Sequence, residues 1–196
     1  MRYDSEQKER THRQILTEAA SAIRTRGPER VGVAEVMNKL GLTHGGFYAH
    51  FASKDDLVAQ SVTLMFDEAY ARLLRMTEGR DPLQGLRAYV DWYLSAAHRD
   101  APNGGCPVAA VSGDLARLPD AARERYTEGV ERLAAGVTKL LKKLGSPKPS
   151  LLAFSLLSEM AGALTCARAV VHPARSEEIL RASREMVKAR LPLESN

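Results

Sequence analysis

Cysteine is scarce in this chain of 196 residues, which holds only Cys106 and Cys166, far apart and at no metal-ligand spacing. That excludes a disulfide scaffold and a zinc site. No apolar run of about 18 residues stands out, and no apolar segment follows the N-terminal Met1-Arg2-Tyr3-Asp4-Ser5-Glu6, so neither a membrane span nor a signal peptide is expected and the protein reads as cytoplasmic. There is no segment in which β-branched residues alternate between flanking turns, so no strand is expected. A phosphate-binding loop, a dinucleotide fingerprint, a nucleophile elbow and a metal-binding histidine pair are all missing, which argues against an enzyme and leaves no cofactor or metal to assign. Internal repeats and low-complexity tracts are likewise absent.

What remains is an ordinary globular composition, 44% hydrophobic and 27% charged, with a net charge of +4. The excess is uneven. Residues 1–54 hold nine Lys/Arg against six Asp/Glu, and the rest hold 19 against 18. A basic N-terminal end suits a polyanionic partner, although a solvated surface gives similar counts.

Apolar positions recur at helical spacing between clear breakers, predicting nine helices. The first covers about 5–26, with Ile15, Leu16, Ala19, Ala20 and Ile23 on one face and Gly27-Pro28 as its stop; the second covers about 33–40 and ends at Gly41; Thr43 caps a short third. Ser53 caps a fourth that continues to about residue 78. The fifth is expected over about 83–99, the sixth from Pro107, the seventh over about 120–144, the eighth over about 150–171 and the ninth over about 176–191. Before residue 53 the helices are short and basic; after it they are long and amphipathic. This divides the chain into residues 1–52 and 53–196.

The second and third helices, joined by Gly41-Leu42-Thr43, have the dimensions of a helix-turn-helix. Gly41 can take the left-handed conformation that ends a helix, while Leu42 plugs the angle between the two. Helical hairpins with glycine turns are also common in proteins that touch no DNA.

From Arg13 to Leu57 the sequence resembles the N-terminal domain of the tetracycline-repressor-like (TetR) family of bacterial transcriptional regulators. The resemblance rests on Ile15-Leu16, Ala19-Ala20, Gly27, Val33, Val36, Met37 and the run GLTHGGFYAHFASKDDL from Gly41 to Leu57. It implies an all-α, nine-helix TetR-like fold: an N-terminal helix-turn-helix DNA-binding domain, 1–52, and a C-terminal helical ligand-sensing and dimerisation domain, 53–196. It further implies that the third helix enters the major groove and that Tyr48, His50 and Lys54 contact phosphates of double-stranded DNA. Lys54 lies in the first turn of a helix, where the dipole disfavours a cation unless an anion is bound there; a plain solvated lysine is the competing reading. For Tyr48 the competing reading is a half-buried ring with its hydroxyl in water.

Gly45 stands where the family commonly has glycine, but Gly46 replaces its usual Thr or Ser. Without side chains that face can approach DNA closely, and Thr43 and His44 become the expected readers of base edges. With so few readers, DNA shape is expected to carry part of the preference. Alternatively, Gly46 lets the third helix pack against the first. Gly32, where the family often has Ser or Thr, is a second departure.

In the C-terminal half, the resemblance implies a homodimer through the last two helices, facing a palindromic operator. The eighth helix, apolar nearly all round from Leu151 to Val170, suits burial on several faces. Phe66, Tyr89, Trp92 and Tyr93 belong to an aromatic stripe that either lines a ligand pocket or fills the core. Cys106 falls at the N-cap of the sixth helix, where unpaired N–H groups would lower its pKa. Its surroundings, NGGCPVAAVSGDLARL, are similar to those in TetR-like regulators that respond to electrophiles or oxidants; a buried structural cysteine is the alternative. Together these features describe a ligand- or redox-responsive DNA-binding regulator, most simply a repressor released by a small-molecule or electrophile inducer that shifts the fourth helix. A helical carrier or interaction protein that keeps the fold without binding DNA is the competing class.

Overall fold

The computed structural model of the protein describes residues 2–114 and 117–192, with side chains from Ser5 onward; Met1, Leu115, Ala116 and residues 193–196, which the expected domains include, lie outside the described residues. Among the described residues every regular element is helical: α1 (Arg2–Arg26), α2 (Val33–Lys39), a 3-10 segment (His44–Ala49), α3 (Lys54–Thr77), α4 (Pro82–Tyr93), α5 (Ala96–Asp100), a 3-10 turn (Pro102–Gly104), α6 (Pro107–Val111), α7 (Asp120–Lys143), α8 (Pro149–Ala169) and α9 (Pro173–Ala189).

Local chemistry sets most of the boundaries. Gly41 takes φ +70°, and behind it the N–H of Leu42 bonds to the carbonyl of Met37 at 2.9 Å, a left-handed stop that closes α2. Thr43, Ser53, Asp81 and Ser95 each accept a backbone N–H three residues ahead and so start the next element. Gly32 starts α2 without a side-chain hydrogen bond.

Two boundaries differ from expectation. The third helix is not an α-helix: the N–H of Gly46 bonds to the Thr43 carbonyl at 3.1 Å and that of His50 to the Phe47 carbonyl at 2.9 Å, i to i+3. Two adjacent glycines in six residues provide too little helix propensity for a full α-turn, and the tighter form suffices. The fifth helix is two. The Ser95 hydroxyl donates to the Trp92 carbonyl at 2.7 Å and accepts the His98 N–H at 3.1 Å, ending α4 and capping α5. The count of nine α-helices among the described residues thus arises by a different division.

One uninterrupted apolar core runs from Ile15, Ala19 and Ile23 on α1, through Phe47 and Phe51, to Leu57, Val62 and Phe66 on α3, and on to α7, α8 and α9. α3 and α7 make the closest approach. A Cβ at Gly129 would lie 2.2 Å from Cγ of Phe66, and one at Gly136 2.9 Å from Leu73. Phe66 and Leu73 pair in order with Gly129 and Gly136, so the two helices run in the same direction. α8 and α9 form an antiparallel hairpin, tied by the Ser176 hydroxyl to the Ala167 carbonyl at 2.6 Å and by an Arg190–Glu159 ion pair. Glu159 is therefore neutralised within its own hairpin.

The sequence has no unbroken apolar run of about 18 residues, yet α8 is long and apolar enough to cross a membrane by length and composition alone. An 18-residue window within it reaches a mean hydropathy of 1.5, because scattered serines and glycine interrupt the run in sequence without making the helix polar. One side of it is packed on the core through Ala153, Leu156, Met160, Ala163, Leu164 and Ala167. Only 39% of the window is buried in the protomer.

Gly129→Ala should destabilise the protein by roughly 1–3 kcal/mol, since the Phe66 ring beneath it is rigid and fully enclosed. Urea unfolding followed by circular dichroism checks this; an unchanged midpoint would contradict the close approach.

Candidate nucleic-acid interface and ligand cavity

The 3-10 segment is seated by Phe47, 1% exposed, whose ring stacks on buried Phe51 at 5.4 Å. That anchor leaves its other side chains outside. Thr43, His44, Gly45 and Tyr48 are exposed, Tyr48 by 65%, and the Tyr48 ring meets the Phe47 ring edge-on at 5.2 Å. The hydroxyl of Thr43 is occupied by the Gly46 N–H at 3.3 Å. Neither Gly45 nor Gly46 has the positive φ that glycine favours. A Cβ at Gly45 would meet nothing within 4 Å, and one at Gly46 would meet Thr43 Oγ1 at 3.4 Å and Met37 of α2 at 3.9 Å. Packing against α1 is therefore not what Gly46 serves; its neighbours are α2 and the cap, and both would admit a methyl group.

Lys54 is exposed in the first turn of α3, and its ammonium donates to the Glu29 carbonyl at 3.0 Å. This bond answers the unfavourable dipole locally and ties the start of α3 to the α1–α2 turn. His50 is placed differently. It is half-buried against His12, ring centroids 6.0 Å apart, and its Nδ1 is enclosed with no hydrogen-bond partner. Burial first, and then the charges of His12 and Lys8, hold His50 below the ordinary imidazole value. Its ring therefore bears only its remaining edge toward solvent.

The second feature is a cavity of about 100 Å³ lined by Tyr89 and Tyr93 of α4, Cys106, Val108 of α6, Tyr126, Val130 and Leu133 of α7, and Phe154, Leu157 and Ser158 of α8. The structure thus brings Tyr89, Tyr93 and Cys106 together and leaves Phe66 and Trp92 out. Phe66 is core beneath Gly129, with Tyr126 edge-on at 5.4 Å. Trp92 is a structural plate: it stacks on His98 at 4.4 Å, with the Arg72 guanidinium on it at 4.4 Å. A periodic stripe cannot separate these roles, because neighbouring aromatics on one helix face diverge once other helices pack on them. Phe154 and Ser158 of the lining lie on a helix whose sequence suggested only a dimer face.

Cys106 requires a correction. It does precede α6, but α6 is five residues long and the thiol is buried. Burial pushes its pKa above the ordinary value, outweighing the hydrogen bonds with Tyr93 and with the N–H groups of Ala109 and Val108. Cys106 is a protonated thiol at neutral pH. Burial raises Tyr89, Tyr93 and Tyr126 as well, so the titratable groups in the lining are uncharged. Cys166, by contrast, is exposed on the protomer.

Behind the cavity, His98 is fixed between two backbone groups. Nδ1 lies 2.7 Å from the Tyr93 carbonyl, which can only accept, so Nδ1 carries the proton and Nε2 accepts the Cys106 N–H at 3.1 Å. Arginines from three helices grip the same corner: Arg24 of α1 donates to the Asn103 carbonyl at 3.2 Å, Arg72 of α3 to that of Gly104 at 3.4 Å, and Arg168 of α8 to that of His98 at 2.9 Å. Arg24 also pairs with Glu68 at 2.5 Å.

Residues 15–60 match the profile of the bacterial regulatory proteins, tetR family, and residues 82–183 match the tetracyclin repressor-like C-terminal domain. The chain belongs to the TetR family. Among curated TetR-type relatives, the probable HTH-type transcriptional regulator ArpR of Pseudomonas putida is 33% identical over 86 residues, 44% of this chain. The HTH-type transcriptional regulator TtgR, also of Pseudomonas putida, is 31% identical over 86 residues. In both cases the match spans 40% of the relative's length. Among solved structures, E. coli NemR in its reduced form superposes with a TM-score of 0.82 at 19% identity, covering 94% of this chain and 98% of that one. A TetR-family regulator from Agrobacterium tumefaciens gives 0.78 at 24%, covering 91% and 98%. At these identities the likeness is one of fold. TetR-family regulators bind DNA and act as dimers.

Burial holds His98 down to about 4, with Arg168 and Arg72 adding to the effect against the pull of the Tyr93 carbonyl. In the unfolded chain this histidine takes up its proton near pH 6.5, so between about 6.5 and 4 the unfolded state binds more protons and stability falls as pH falls. Urea midpoints measured across that window should drop steadily for the natural protein, and His98→Gln should flatten the slope; parallel slopes would contradict the neutral, doubly bonded imidazole.

Proposed function

We propose that this protein is a DNA-binding transcriptional regulator, most simply a repressor, that holds a palindromic operator as a homodimer through α8 and α9 and releases it when a small inducer occupies the cavity. Residues 1–52 bind DNA, and 53–196 sense and dimerise. The observation that carries this reading is the seating of Phe47 and Phe51 in the same apolar core as the cavity wall, while Tyr48 and its neighbours project into solvent. The reading heads of a symmetric dimer then lie about 34–36 Å apart, one turn of DNA. Tyr48, Lys54 and the open edge of His50 meet phosphates, and Thr43 and His44 read base edges. Gly45 and Gly46 keep the segment close to the duplex. Such a protein works where the DNA is, in the bacterial cytoplasm, and its role needs no catalysis.

The cavity favours an uncharged inducer. No Asp, Glu, Lys, Arg or His is among its lining residues, and a charge placed there would lose its hydration without a partner. An electrophilic inducer would meet Cys106 as a thiol, so its reaction would be slow at neutral pH and lost in Cys106→Ser. Occupancy reaches the reading head by two routes. α3 packs against both α1 and α7. A shorter route passes from Cys106 through the 102–106 corner to Arg24 of α1, and from the end of α6 to the α1–α2 turn, where the Gly27 Cα faces Asp114. That turn carries the carbonyl that holds Lys54.

Selection of bound sequences from random duplexes should return a palindrome, with affinity falling steeply as salt rises. Lys54→Ala should weaken binding across all sequences and lower the log–log salt slope by about one. Absence of any preferred site would overturn the assignment.

A further inference from the structure

Among the large apolar side chains that are exposed in the described residues, Tyr48 belongs to the reading segment, and Leu151, Phe154, Val171 and Met186 belong to the α8–α9 hairpin. Leu74 of α3, 40% exposed, belongs to neither. It stands in a groove of about 280 Å³ at the C-terminal end of α3, where the last turns of α3 and α7 meet the turn into α4. The groove starts at Gly136, where the two helices touch: a Cβ there would lie 2.9 Å from Leu73 and 3.0 Å from Tyr70. It ends at Lys143, about 10 Å further along α7. Leu73, Leu74, Leu140 and Pro82 make its lining apolar, and no residue is shared with the lining of the uncharged cavity.

The rim of the groove is basic. Arg80 of the α3–α4 turn joins Lys139 and Lys143, one turn apart on α7, against a single carboxylate, Glu78. All four are exposed, and among the described residues none of the three cations has an ion pair or a side-chain hydrogen bond. One turn before Gly136 on the same seam, Arg132 is paired with Asp67 at 2.5 Å, so the positive charge goes unneutralised only along the groove. The dipole of α7 accounts for Lys143 in its last turn, but Lys139 and Arg80 lie outside that turn.

We propose that this groove binds an amphiphilic carboxylate, with its apolar body along Leu74 and Leu140 and its carboxylate among Arg80, Lys139 and Lys143. The lining sets the class. A neutral apolar molecule would leave the excess positive charge uncompensated, and a purely ionic one would leave Leu74 and Leu140 in water. The Arg80 guanidinium suits a carboxylate through two parallel hydrogen bonds, and the two ammonium groups add point charges. Apolar concave surface with a few placed polar groups is the common form of a small-molecule site. A peptide helix is too long for a groove that spans two turns, whereas a medium-length alkyl chain lies along it. The occupant joins α3, α7 and the turn into α4, and its binding needs neither DNA nor a second copy of the chain.

The probe is radiolabelled octanoate, measured by equilibrium dialysis against the full chain, with octanol, octylammonium and acetate as competitors. The natural protein should take up one octanoate per chain. Octanol and acetate should displace it at least tenfold less effectively than unlabelled octanoate, and octylammonium should not displace it. Lys139→Glu combined with Lys143→Glu reverses the charge at exposed positions and should weaken octanoate binding at least tenfold with an unchanged circular dichroism spectrum. Arg80→Glu, outside any helix, should do the same and serves if the double variant fails to fold. Charge-reversed variants that bind octanoate as tightly as the natural protein would place it elsewhere, the uncharged cavity included, and overturn the site. Equal displacement by octanol would overturn the role of the carboxylate, equal displacement by acetate that of the apolar lining, and no uptake of octanoate the proposal as a whole.

Discussion

The Phe66 ring lies where Gly129 has no side chain, and this close contact between α3 and α7 aligns the rest of the molecule. Because Gly136 repeats the arrangement over Leu73 and Tyr70, α3 is held against α7 along much of its length. Its opposite end belongs to the DNA-binding head: Ser53 caps it, Lys54 reaches the α1–α2 turn, and Leu57 and Val62 share a core with Ile15 and Ala19. A rod clamped at both ends passes displacement on instead of absorbing it, since close-packed interiors have low compressibility.

Burial determines the chemistry around the cavity. The N-terminus of a helix favours a thiolate, yet at Cys106 the loss of hydration outweighs a five-residue helix and three hydrogen bonds. The same balance keeps His98 neutral and makes it a two-ended spacer between the Tyr93 carbonyl and the Cys106 N–H. Arg24, Arg72 and Arg168 donate to backbone carbonyls of this corner and none of them lines the cavity, which presents hydroxyls, a thiol and hydrocarbon.

The exposed residues of the 3-10 segment were legible because they lie within one short run whose geometry is local. Thr43 and Ser53 cap, Gly41 stops, and Phe47 anchors, each through bonds to residues a few positions away or through a single apolar contact. His50 shows the limit of local reading. Its neighbours in sequence suggest an outward-facing ring, but His12, 38 positions earlier, packs against it and encloses Nδ1. The cavity was legible only in fragments: α4 supplied Tyr89 and Tyr93, while Phe66 and Trp92 of the same aromatic population were drawn into the core and into a stack with His98 and Arg72.

By itself the sequence determined the helical class, the positions of the turns, the amphipathic faces and the helix-turn-helix run, because propensity, capping and periodicity act over a few residues. Only the tertiary structure decided the protonated state of Cys106, the enclosed edge of His50 and which aromatics face empty space. Those outcomes depend on desolvation and on contacts between residues distant in the chain, such as Phe66 with Gly129 and His98 with Arg168. A one-dimensional pattern records neither the dielectric around a thiol nor the side of a ring that another helix covers.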